Sequence, residues 1–184
     1  AAPRIGSLRR PDHQQAHLVL GFLGTTIRSP DRYALDVLAT VLGGQGGRLF
    51  VELRDREALA YSVSASSQEG IEPGSFTVYM GVDATKVDPA VSGMLRILRR
   101  LVAEPPSEEE LARARRYLIG GYEIDLQRGA NIAAALASNH LYGLPLETLE
   151  RYPAAIEAVS RDAVFVATQK YLDLDAYVLS VVHP

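Results

Sequence analysis

GGQGGRLFVELRDREALAY, residues 43–61, decides how this chain is read. Its glycines close a helix on one side, and SVSASS (62–67) starts a strand on the other. Between them lies a short helical element that presents a cation, Arg54, with a phenol, Tyr61, seven residues on. A loop that bends freely, then a short element offering a guanidinium and a phenol, can hold a substrate backbone. The rest of the chain offers little comparable chemistry.

Upstream, QQAHLVLGFLG (14–24) is an apolar run of β-formers bounded by glycine, which predicts a buried strand. Ser29-Pro30-Asp31 is a helix start, with a hydroxyl N-cap and proline at the first helical position. Leu35, Leu38, Val41 and Leu42 follow at helical spacing, and Gly43-Gly44 stops that helix. Residues 1–13 carry Pro and Arg without periodicity and read as a linker before a domain spanning 14–184.

Downstream, 61–69 and 74–82 read as two strands joined by EGIEPGS. Phe76, Val78 and Met80 alternate with Thr77, Tyr79 and Gly81, the pattern of a hairpin with one buried face. Asp88-Pro89 opens a helix that Pro105-Pro106 ends. Ser107 and Glu110 form a capping box for the next helix, whose Gly120-Gly121 predicts a close crossing or a kink. Further helices are expected over NIAAALASNHLYG, 146–157 and 160–172, and a last strand over 176–182. This order predicts an α+β domain of two layers, a mixed or antiparallel sheet of about four strands packed on helices.

Composition narrows the function. At 47% apolar, 22% charged and net charge -3, the chain is an ordinary globular domain without the basic surface that favours nucleic acid or anionic membrane. The run from Glu108 to Arg116 reads as a solvated helix face laced with ion pairs. No cysteine is present, so no disulfide framework or thiolate ligand is expected, and bacterial cytoplasm and periplasm both suit the chain. No run approaches the roughly 18 apolar residues of a membrane span. The start AAPR, without Met, points to a piece of a longer protein.

The histidines invite a metal reading that the spacing opposes. His13-Gln14-Gln15-Ala16-His17 has Ala where an inverted zincin carries its Glu base. In a strand, positions four apart stand roughly 13 Å apart, too far to share an ion. His13 reads as exposed before the strand, His17 as lying at a sheet end, His140 as a helix C-terminal residue and His183 as part of a fraying chain end. No metal site is expected on this chain. For Arg54 and Tyr61 the residues leave two readings open. One is structural, a helix C-terminal cation and an aromatic that begins a strand. The other is functional, a forked donor for a substrate carbonyl or carboxylate and a phenol that donates to a developing oxyanion.

Leu42-Gly43-Gly44, Arg48-Leu49-Phe50, Leu53-Arg54 and Leu59-Ala60-Tyr61, with QAHLVLGF, YLIGGYEIDL, LYGLP and RYPAAIEAVS, resemble the pitrilysin/insulinase family of zinc metallopeptidases, which includes the mitochondrial processing peptidases. The likeness is to the non-zinc half of that family's repeated unit. It implies the α+β metallohydrolase fold of the processing peptidases. It also implies that Arg54 binds substrate and that Tyr61 both binds it and assists the transition state. The zinc and its general base would then lie in a partner domain of the same polypeptide or in a separate subunit, and this chain alone would be inactive. The expected partners are that zinc-bearing half, an extended peptide and, for the isolated domain, a second copy. The competing expectation is a structural or binding module that keeps the fold without the activity.

Overall fold

The computed structural model describes residues 2–184. Five strands form one sheet: β1 Arg4–Arg9, β2 Gln15–Leu23, β3 Ala60–Gln68, β4 Ser75–Asp83 and β5 Val178–His183, in spatial order β1-β5-β2-β4-β3. β1 runs parallel to β5, and the other pairings are antiparallel. The helices are α1 Asp31–Gly43, α2 Val87–Ala103, α3 Glu108–Asp125, α4 Gly129–Leu141, α5 Thr148–Glu157 and α6 Arg161–Tyr171. The α+β class is as expected; the sheet has one strand more than the sequence predicts.

The extra strand is β1, which lies within the stretch read as a linker. All six of its side chains are exposed, so it carries none of the alternation that marks a half-buried strand. Its backbone fixes it instead: beyond the ladder with β5, Arg4 N donates to Tyr177 O at 3.0 Å and Arg10 N to His183 O at 2.7 Å. His183 is accordingly no fraying end. It pairs with Arg9, and its Nε2 lies 3.1 Å from Ser7 Oγ.

The sheet has one covered and one open face. Ala16, Leu18, Leu20 and Phe22 of β2 and Phe76, Val78, Met80 and Val82 of β4 are buried beneath α1 and α2. Their alternates (His17, Val19, Thr77, Tyr79) point the other way, as a period of two requires. On α1, Leu35, Leu38 and Leu42 are fully buried, each worth about 2 kcal/mol over exposure. Gly43 closes that helix against β3, where a Cβ would stand 2.1 Å from Ala65 N.

α3 begins with the expected capping box, Ser107 Oγ accepting from Glu110 N and Glu110 Oε2 from Ser107 N. Its Gly120-Gly121 meets no neighbour: an added Cβ would find nothing within 4 Å at either position, and the helix runs unbroken. No crossing occurs there because α4 packs only lightly, with none of its residues buried.

Candidate functional site

The segment after the glycines is a π-helical element, Phe50–Arg56, clamped from below and free above. Leu53 is fully buried and packs where α2 has Gly93; a Cβ there would come within 2.7 Å of Leu53 Cδ2. Arg100 and Arg96 of α2 pair with Glu52 and Glu57, and Lys86 Nζ donates to Ala58 O at 2.8 Å. With its underside tied down, the element turns Arg54 to solvent. The Arg54 guanidinium lies 4.6 Å over the Phe50 ring, a cation–π contact that restrains its swing. Phe50 therefore sets the pose of Arg54, a role that sequence reasoning missed and that the four-residue spacing of an aromatic and a cation could have signalled.

Tyr61 follows through a tight corner. Ala58 adopts φ 50°, uncommon for a residue with a side chain, and Leu59 N donates back to Leu53 O at 2.8 Å. β3 then starts on a bulge. Ala60 pairs with Val82 and Ser62 with Gly81, so Tyr61 is the extra residue. Ala60 is buried, Tyr61 and Ser62 are both exposed, and Val63 is half-buried. The bulge thus adds Tyr61 to the exposed positions of an edge strand, as bulges do when they re-aim a side chain. Tyr61 is 57% exposed. Arg54 and Tyr61 stand on adjoining elements, neither sunk in the core. A cleft of about 620 Å³ lined by Ile5, Val91, Leu179 and His183 lies beside β1 and includes neither of them.

The glycine loop is a packed joint. Gly46, at φ 81°, needs its freedom, and its carbonyl accepts from Arg113 at 3.0 Å. Arg48 makes a forked pair with Glu110 at 2.7 and 2.9 Å, both side chains mostly buried. Burial pushes the Glu110 carboxyl up, yet Arg48 and the Ser107 N–H outweigh that and hold it at about 2. Part of the Glu108–Arg116 run is therefore tertiary glue and only part a solvated face: Arg113 caps Gly46, and Arg115 donates to Val159 O.

On the open face, His17 Nδ1 lies 2.9 Å from Tyr79 Oη. The His13 and His17 rings sit edge to face with centroids 6.1 Å apart, far closer than strand spacing implies. The reason is a turn: His13 N donates to Arg10 O at 2.9 Å, so the chain doubles back before β2 begins. The pair still does not make a metal centre. Tyr79 occupies one ring nitrogen of His17, and no group of three or more His, Cys, Asp or Glu side chains among the described residues could hold an ion. Two imidazoles, one of them engaged by Tyr79, fall short of the three or four protein ligands a zinc ion takes.

A second polar cluster lies between α1, α3 and α5. Asp36, mostly buried, shares a cavity of about 230 Å³ with Glu69, Arg32, Tyr122 and Tyr152. Desolvation, and then the charge of Glu69, push its carboxyl up to about 7 against the opposing pull of Tyr152 and Arg32. Tyr122 and Tyr152 stack with centroids 4.4 Å apart, and Tyr122 Oη donates to Leu149 O at 2.7 Å.

The described residues thus form a two-layer α+β domain with Tyr61 exposed on its edge strand. The chain belongs to the peptidase M16 inactive-domain family, whose model matches residues 2–118. It is 27% identical over 177 residues to the uncharacterized zinc protease YmxG of Bacillus subtilis, an alignment that covers 96% of this chain and 43% of that protein. An uncharacterized zinc protease of Streptomyces coelicolor is 28% identical over 165 residues, covering 89% of this chain and 36% of that one. The crystal structure of a peptidase M16 inactive domain from Pseudomonas fluorescens superposes with TM-score 0.89 at 26% identity, over all of this chain and 44% of that one. The inactive peptidase domain of a putative zinc protease from Bordetella parapertussis shares the fold, with TM-score 0.82 and 23% identity over 96% of this chain and 94% of that one. The chain thus spans less than half the length of these two zinc proteases. The family resemblance carried by residues 42–61 holds. No helix among the described residues is long and apolar enough to cross a membrane.

Proposed function

We propose that this domain is the substrate-holding, non-zinc half of a zinc metalloendopeptidase, and that Arg54 and Tyr61 are its working residues. The metal and its activated water belong to a zinc-bearing half in the same polypeptide or a partner subunit. The observation that carries the reading is the pairing of a clamped π-helical element with a bulge, both turned outward: the chain invests Leu53, Glu52, Glu57 and Lys86 in fixing a segment whose outward side chains make few contacts of their own.

Preorganised donors work when they need not move as charge develops. Arg54, restrained over Phe50, offers a forked donor to a carbonyl or carboxylate of an extended peptide. Tyr61 donates its O–H to the carbonyl oxygen that becomes negative during attack. Neither residue lines the cleft of about 620 Å³ beside β1, which is consistent with a site completed only when the other half closes over it.

The test is peptide turnover by the complete peptidase, this domain together with the zinc-bearing half. Tyr61→Phe removes one oxyanion donor and is expected to lower kcat about 10²-fold. Unchanged turnover in a folded variant removes the catalytic role. A polypeptide with no His-x-x-Glu-His or inverted equivalent, in the same or the adjoining reading frame, leaves the non-catalytic module instead.

A further inference from the structure

The open face carries a polar cluster that the Arg54 and Tyr61 reading does not use. His17 of β2, Gly81 of β4 and Ser62 of β3 lie in register across three neighbouring strands. Gly81 is the floor of the cluster. A Cβ there would stand 2.8 Å from Ser62 Oγ and 3.1 Å from Tyr79 Oη, so both hydroxyls lie over the space that its missing side chain leaves. Tyr79 in turn reaches His17 Nδ1 at 2.9 Å, and the His13 ring abuts His17. His17 Nε2 has no hydrogen-bond partner among the described residues. Ser62 is the next residue after the Tyr61 bulge.

We propose that His17, Tyr79 and Ser62, with His13 beside them, form a carboxylate-binding subsite for the peptide that Arg54 and Tyr61 engage, an inference that rests on the peptide-holding reading. The donor logic is specific. When His17 is protonated, its Nδ1–H donates to Tyr79 Oη, and the Tyr79 O–H must turn outward. Tyr79 O–H and Ser62 O–H then present two donors over Gly81 with the imidazolium charge directly behind Tyr79, which suits an anionic oxygen pair better than a neutral carbonyl.

The charges around the cluster leave this demand unmet. Asp12, beside His13, is held by Arg10 through two bonds of 3.1 Å. Asp83, one position further along the same face of β4, accepts from Thr85 N and Thr85 Oγ1. β5 contributes Val182 opposite His17, and β1 contributes Leu8 beyond it. Tyr61, exposed on β3 next to Ser62, adds a phenol and no carboxylate. Both nearby carboxylates are thus hydrogen-bonded to other partners; Asp12 still attracts His13 weakly, but no carboxylate is bonded to His17.

The experiment is calorimetric titration of the complete peptidase, this domain together with the zinc-bearing half and stripped of zinc so that no turnover occurs, with extended hexapeptides at pH 6 and pH 8. Four versions separate the sources of the carboxylate: free or amidated C-terminus, each with one internal Glu or Gln. Acid favours the imidazolium, so a carboxylate-bearing peptide is expected to bind about tenfold tighter at pH 6 than at pH 8. The doubly neutral peptide should show no such change. His17→Gln should abolish the pH response, and Gly81→Ala, which displaces Tyr79 and Ser62, should weaken the acidic peptides selectively. Arg54→Ala should lower affinity equally at both pH values, which separates this subsite from the Arg54 reading. Equal affinity for acidic and neutral peptides, no detectable binding at millimolar peptide, or a pH response that survives His17→Gln overturns the proposal. A two-dimensional imidazole NMR spectrum of the wild-type chain checks the same point without a substitution: the His17 resonances should shift with the acidic peptide and not with the neutral one.

Discussion

Gly43, the last residue of α1, lies against the backbone of β3 with no room for a methyl group; a Cβ would meet Ala65 N at 2.1 Å and Ser64 C at 2.7 Å. Helix and edge strand touch there without an intervening side chain. Gly43→Ala must push the end of α1 away from β3, and both contacts are backbone that cannot rotate aside. A loss of about 2–3 kcal/mol is expected, read from urea unfolding of the purified domain. Gly120→Ala is the matched control. Its Cβ points into open space, and a change of that kind in a helix should stabilise by about 1 kcal/mol.

Glu110 ties the loop to α3. Its carboxyl is held at about 2 by Arg48 and the Ser107 N–H, below its ordinary 4.5. A depressed acid contributes stability that is present above its unfolded value and is lost as pH falls toward the folded one. The wild type should therefore lose stability between pH 4.5 and pH 2 partly through this residue. Glu110→Gln should flatten that segment of the pH profile and cost about 3 kcal/mol at pH 7, because it leaves the mostly buried Arg48 without its counter-charge.

Asp36 behaves oppositely. Its carboxyl is raised from 3.8 to about 7 by burial and by Glu69, so the folded state holds the proton more tightly than the unfolded chain. Stability falls as pH rises from about 4 to about 7, then levels off with the charge retained at a cost. Asp36→Asn should thus stabilise the domain more at pH 8 than at pH 5, with a difference of at most about 3 kcal/mol. Thermal melts at the two pH values decide it, and equal gains at both would show that Asp36 is not the titrating group.

Phe50 tests how Arg54 is posed. Phe50→Leu keeps the apolar volume and removes the ring under the guanidinium. If the contact pre-positions Arg54, the complete peptidase should lose affinity for peptide, seen as a rise in KM of about threefold to fivefold with kcat little changed. Arg54→Ala with Phe50 intact should raise KM at least as much.

What could be read from the chain was local. Ser107 and Glu110 announce their capping box, and the apolar run around Leu18 and Leu20 announces a buried strand, because both signals lie within a few residues. β1 could not be read, since RIGSLR buries no side chain and owes its place to a partner more than 170 residues away. The nearness of His13 to His17 escaped for a related reason: strand spacing holds only from Gln15 onward, and the turn at Arg10–His13 cancels it. Arg54 and Tyr61 were visible as residue types at a suggestive spacing. The exposure of Arg54 depends on Gly93, Arg96 and Arg100 of a later helix, and that of Tyr61 on the bulge against Gly81 and Val82 of β4, none of which a reading of residues 43–61 contains. The Asp36 cavity needs Glu69, Tyr122 and Tyr152 to converge from separate elements, and its raised acidity exists only once they have.

The position of β5 between β1 and β2 has a consequence for biosynthesis. Of the five strands of this sheet, the one synthesised last joins the one synthesised first to the remainder. Until residues 178–183 emerge, β2, β4 and β3 can zip together while residues 4–9 have no ladder to enter. Translation intermediates that lack β5 should therefore present an unpaired β2 edge, an invitation to chaperones and to misassociation that closes only once residues 178–183 are out.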